Sequence, residues 1–104
     1  MSNYDIFLQA IQQKKVVQAQ VNTLSKGIII RKCIPFDYGT GRGLKKGEQG
    51  FHFLDLDSPD GRHNLPVEPE RLLSIQLLNE IFDPADYVTW TPTWQVKRDW
   101  GKYS

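Results

Sequence analysis

Three sets of side chains in this 104-residue chain have the chemistry to bind or to react. The first is cationic. Arg31 and Arg71 each sit in an apolar, strand-like context, where a planar guanidinium held on a rigid strand suits phosphate or carboxylate; the competing reading is a structural ion pair with Glu68, Glu70, Asp55 or Asp57. Arg42, Lys45 and Lys46 lie in the glycine-rich run Gly39 to Gly47, and against Glu48 they leave this loop with two positive charges. Exposed glycine amides beside such cations can cradle phosphate. The second set is His52 and His63, which with Arg62 could form an anion site. The third is aromatic: Phe51, Trp90, Trp94 and Trp100, the last three interleaved with Lys97 and Arg98, a mixture that stacks bases and neutralises a single-stranded backbone. The competing reading of the indoles is that they fold back over an open side of the domain or onto a partner.

Several chemistries lack the residues they need. No serine or cysteine is tied to either histidine by a nucleophile–base pattern, so we expect no enzyme activity. A phosphate-binding loop of the nucleotide-hydrolase type needs a Lys-Ser/Thr pair opening a helix, but Gly50 leads into a strand. Cys33, His52 and His63 are too few and too far apart for zinc. Asp55, Asp57 and Asp60 lack the glycine and terminal glutamate of a calcium loop. No metal or cofactor is expected.

The elements that must position these groups follow from hydrophobic spacing. Tyr4, Phe7, Leu8 and Ile11 make one stripe of a short helix opened by Ser2 or Asn3. Val17, Ala19 and Val21 alternate with Gln18, Gln20 and Asn22, a half-buried strand. The longest hairpin runs from Ile28 to Asp57, with arms Ile28–Phe36 and Phe51–Leu56. Ser58-Pro59-Asp60-Gly61 reads as a tight turn, and Arg62 to Val67 as a short strand. Arg71 to Asn79 fits a strand through Leu73, Ile75 and Leu77, or a helix through Leu72, Ile75 and Leu78. Asp83-Pro84-Ala85-Asp86 fits a single helical turn. One helix and about five closely spaced antiparallel strands predict a mainly β domain over residues 1–82. Its architecture is a small SH3-like or Sm-like barrel, with a Trp-rich extension over 83–104 packed on it or on a partner.

Ala10-Ile11 with Lys14 to Val17, the basic segment ending in Ile34-Pro35, Phe51-His52-Phe53, Gly61 to Leu65 and Glu70 to Ile75 together resemble the WYL family, a small barrel found mostly in bacterial regulators. The Trp-Tyr-Leu tripeptide itself is replaced by Phe-His-Phe, no helix-turn-helix precedes the barrel in this sequence, and the stretch after Asp83 has no counterpart. The resemblance implies a regulatory module that binds an anionic ligand, a nucleotide or single-stranded nucleic acid through basic residues.

Whole-chain properties narrow the partners. A net charge of +1 provides no general attraction to polyanions, so such binding must come from a local patch. The lone Cys33 cannot form an intramolecular disulfide, which suits a reducing cytoplasm. No signal-peptide pattern opens the sequence, and apolar runs stop at three residues, far below the roughly 20 that span a bilayer. The expectation is a cytoplasmic, membrane-free binding module with ligand contacts at Arg31, Arg42, Lys45, Lys46, Arg62, His63 and Arg71. The alternative is a protein-interaction module or homodimer using the Trp-rich tail or an open strand edge.

Overall fold

The structure, a computed structural model, describes residues 1–104. Helix α1 (Asn3–Gln13) opens the chain. Ser2 caps it: the Ser2 hydroxyl accepts from the Asp5 amide and the Asp5 carboxylate accepts from the Ser2 amide, a reciprocal box that satisfies two otherwise orphaned donors. Lys14 ends the helix in the left-handed conformation, φ 55°.

Five antiparallel strands follow: β1 (Lys15–Thr23), β2 (Gly27–Gly39), β3 (Gly50–Asp55), β4 (His63–Val67) and β5 (Leu72–Ile81). Their order in the sheet is β4-β3-β2-β1-β5. The fold is therefore mainly β, as the strand and turn pattern predicts. Pro69–Arg71 forms a single 3-10 turn between the two edge strands, and no ladder joins β4 to β5, so hydrogen bonds do not close the barrel. The stretch ambiguous between strand and helix is a strand. Its alternation differs from expectation, because a register shift opposite Gln20 and Val21 displaces Leu73 outward and buries Leu72 with Ile75.

The core combines Phe7, Ala10 and Ile11 of α1 with the inward faces of β1 to β5. Phe7 meets Phe51 and Phe53 edge-on at 5.0 and 5.2 Å. Tyr4, part of the predicted stripe, is exposed at the helix margin and packs instead on Tyr38.

Strand β2 outruns β1: their pairing ends at Val17 and Cys33. Pro35, which has no amide to donate, lies beyond that end, so its cost to the ladder is avoided. A bulge then separates Pro35 from Asp37 in the pairing with β3. The uncovered edge at Phe36 and Asp37 is where the Trp-rich segment packs. Phe82, Val88 and Trp100 join the main core, and the Trp100 indole donates to the Ile11 carbonyl at 2.9 Å. No helix is long and apolar enough to cross a membrane.

Candidate functional site

Two depressions flank the β3–β4 ribbon. The larger, about 470 Å³, lies between the barrel, the β2–β3 loop and the C-terminal segment. Phe36, Trp90 and Trp94 form its aromatic wall. Phe36 meets Trp90 edge-on at 5.6 Å, and the two indoles meet edge-on at 6.0 Å. Trp90 is 47% exposed. The opposite side carries His52, Pro66 and Asn64, and Arg42 stands among the lining residues.

The aromatic wall stands because the tail is clasped. Asp37 accepts from the Gln95 and Val96 amides at 2.9 Å each and pairs with the Arg98 guanidinium at 3.3 Å. Arg98 also donates to the Phe36 carbonyl. Its guanidinium lies between the Trp94 and Trp100 rings, 4.1 and 4.4 Å from their centroids, a cation–π sandwich. Burial pulls the Arg98 pKa down to about 10, with the Asp37 charge opposing that fall. Gln95 ties tail to loop in turn: its side-chain amide accepts from the Thr40 amide and donates to the Thr40 carbonyl, at 3.2 and 2.7 Å.

The loop itself is held flat. A Cβ on Gly41 would lie 2.7 Å from the His52 ring, and one on Gly43 would lie 2.4 Å from Pro66. Gly43 also has φ +90°, a conformation that favours glycine. These close approaches set the backbone on either side of Arg42, which lines the cleft. The His52 ring donates from Nε2 to the Gly39 carbonyl at 2.9 Å, since a carbonyl can only accept. Arg42, Lys45 and Lys46 form no ion pair, so the local surplus of positive charge faces solvent.

The second depression, about 330 Å³, opens at the seam between β4 and the start of β5. Arg31, His63 and Arg71 line it, but their charges are matched. The Arg31 Nε lies 3.3 Å from Asp55 Oδ2, because Arg31 and Cys33 share a face of β2 and Cys33 pairs across the ladder with Asp55. Arg71 sits 3.6 Å from Glu68 and donates to the Asn22 carbonyl. His63 donates from Nδ1 to the Gly61 carbonyl, so its Nε2, 4.0 Å from Asp55, faces that carboxylate as a charge only when protonated. Burial, reinforced by Asp55 and Asp57, pushes the Cys33 thiol up, while Arg31 opposes the shift.

Comparison with family models, curated proteins and solved structures finds no match for this chain.

The geometry thus redistributes the residues expected from sequence. Arg42 lines the aromatic cleft, and Lys45 and Lys46 are exposed on the same loop. Trp90 and Trp94 form its wall. Arg31 and Arg71 are not free anion ligands, because acidic neighbours on the same face neutralise them. Phe51 is no stacking platform: it is 3% exposed, with its ring among Phe7, Tyr38 and Phe53. Trp100 is likewise 3% exposed, since its indole closes the core against α1. Arg62 stands apart from the cleft, over the Tyr87 ring at 5.3 Å. No group of three or more His, Cys, Asp or Glu side chains is placed to hold a metal ion.

Sequence reasoning missed Phe36, Asn64, Pro66 and Gln95 as cleft residues and Asp37 as the clasp. One signal was available for Asp37: a lone carboxylate inside an apolar strand needs a cationic partner, and Arg98 is the cation set among the indoles.

Proposed function

We propose that this chain is a non-catalytic binding module that takes a nucleotide or a single-stranded nucleic acid, with a base stacked in the cleft at Trp90. The observation that carries this reading is the exposed Trp90 indole in a preformed aromatic wall, with the unpaired cation Arg42 among the residues that line the cleft. Every base has a π-face, so such a wall accepts bases without strict sequence preference. Asn64, Thr93 and Arg42 supply polar groups that can meet a base edge or a phosphate. The loop cations Lys45 and Lys46 extend the attraction along the backbone. In this reading the domain acts as the binding part of a regulatory system, consistent with its resemblance to the WYL family.

The test is tryptophan-fluorescence titration with an eight-nucleotide oligothymidylate and oligouridylate. Stacking contributes about 1–3 kcal/mol per base. Trp90→Ala should therefore weaken binding roughly 5- to 150-fold. Arg42→Ala should weaken it and lower the steepness of the salt dependence by about one phosphate contact. Binding that ignores both substitutions refutes the reading.

The aromatic wall beside Pro66 also suits a proline-rich peptide, the form in which the wall would serve protein interaction. The unpaired basic loop favours the polyanion. Salt separates the two, because phosphate contacts weaken steeply with added salt and an apolar peptide contact does not.

A further inference from the structure

A third depression adjoins the aromatic cleft. It is an open groove of about 610 Å³ between α1, the end of β2 and the C-terminal segment. Thr40 lines the cleft, Gly39 lines the groove and Gln95 lines both, so the hydrogen-bonded bridge from Gln95 to Thr40 forms the ridge between them. Both partners of that bridge are exposed. A flexible ligand can therefore pass from one depression to the other along the surface, without opening the core.

The groove repeats the chemistry of the cleft. Its aromatic group is Tyr4, 43% exposed and set edge-on against Tyr38 at 4.9 Å. Tyr38 meets the buried Phe51 at 5.0 Å, so the core backs the pair of rings. The cation of the groove is Lys97, which is exposed and forms no ion pair. Gln49 adds a neutral carboxamide, and no acidic side chain lines the groove. A half-exposed tyrosine is ordinary by itself. Here the ring stands with an unpaired cation, in a groove free of carboxylates that continues a cleft holding an exposed indole and an unpaired arginine. Stacking surfaces alternating with cations along one track are what a single-stranded nucleic acid requires.

We infer that the ligand is a single strand of several nucleotides that runs from the cleft over the ridge at Gln95 and Thr40 into the groove, with one base on Trp90, a second base on Tyr4 and a phosphate at Lys97. This inference rests on the proposed function above and adds to it a second stacking site and a ligand longer than a mononucleotide.

The experiment titrates thymidine monophosphate and an eight-nucleotide oligothymidylate against the wild-type chain, Tyr4→Ala, Tyr4→Phe and Lys97→Gln, with tryptophan fluorescence as the signal. A lost base stack costs about 1–3 kcal/mol, so Tyr4→Ala should weaken octanucleotide binding about 5-fold or more and leave mononucleotide affinity intact. Tyr4→Phe keeps the ring and should keep the affinity. Lys97→Gln should lower the salt slope of octanucleotide binding by about one and leave that of the mononucleotide unchanged. Unchanged thermal melting establishes that the variants are folded; should Tyr4→Ala not fold, Lys97→Gln, altered only at an exposed side chain, carries the test. Octanucleotide binding that these substitutions leave unmoved, or a loss under Tyr4→Ala that the mononucleotide shares equally, overturns the second site and leaves the Trp90 reading standing. No binding of either nucleotide overturns both.

Discussion

Asp37 is the residue whose removal should do most damage for its size. Its carboxylate receives the Gln95 and Val96 amides and the Arg98 guanidinium, and Arg98 is 8% exposed between two indoles. Asp37→Ala leaves that guanidinium without its counter-charge and two amides without an acceptor. Breaking a buried ion pair by deleting one partner costs about 3–5 kcal/mol, because the remaining charge stays desolvated. The lost amide contacts belong to the same network, so they deepen this figure rather than add to it in full. For a domain of this length the loss corresponds to a fall in Tm on the order of 15–25 °C. It is also a large share of the ~5–15 kcal/mol that holds a typical domain folded. Urea unfolding followed in parallel by tryptophan fluorescence and far-ultraviolet circular dichroism reads both size and location. Release of the tail exposes Trp94 and Trp100, so in the variant the fluorescence transition should precede the dichroism transition. A double variant, Asp37→Ala with Arg98→Met, removes both charges and should recover part of the loss. If Asp37→Ala melts within about 0.5 kcal/mol of wild type, or if the double variant is worse than the single one by the full cost of losing Arg98, the clasp argument is wrong.

Four further outcomes follow from the same geometry. Gly43→Ala, which forces a Cβ toward Pro66 at an unfavourable φ, should cost about 1–3 kcal/mol in denaturant titration, against about 1 kcal/mol for Gly47→Ala, whose surroundings are open. Trp90→Ala should change stability by less than about 1 kcal/mol while reducing oligonucleotide affinity, separating a binding residue from a core residue. The Cys33 thiol keeps its proton in the folded state above its ordinary value of 9.0, whereas the unfolded chain loses it there; stability therefore falls as pH rises past 9. Relative to Cys33→Ala, wild type should lose stability on the order of 1 kcal/mol between pH 9 and pH 10, and a flat difference between the two refutes the burial argument. Ser2→Ala should destabilise by about 1 kcal/mol through loss of the helix cap, measured by thermal melting.

Much of the architecture was readable from the residues in order. Alternation from Val17 to Val21, the turn at Ser58 to Gly61 and the long hairpin between Ile28 and Asp57 are local signals, and local backbone chemistry decides them. The Ser58 carbonyl does accept from the Gly61 amide, as that turn requires. The basic loop and the exposed indole were also evident as residue types. Pairing was not. Whether Arg31 meets a ligand or Asp55 depends on the β2–β3 register, and register is a relation between strands far apart in the chain. The same holds for Leu73, whose outward position comes from a bulge that neither strand announces alone.

What the sequence determined by itself is the class of fold and the inventory of groups: a mainly β domain, a cationic glycine-rich loop and three indoles near the C-terminus. Only the tertiary structure decided which of those groups remain available. It buried Phe51 and Trp100, matched Arg31 and Arg71 with carboxylates, and left Trp90 and Arg42 facing one cleft. The physical reason is that hydrophobic spacing and turn chemistry act between near neighbours along the chain. Charge pairing and ring packing act between groups that the fold brings together, where a carboxylate such as Asp37 and a guanidinium such as Arg98 meet across 61 positions of sequence.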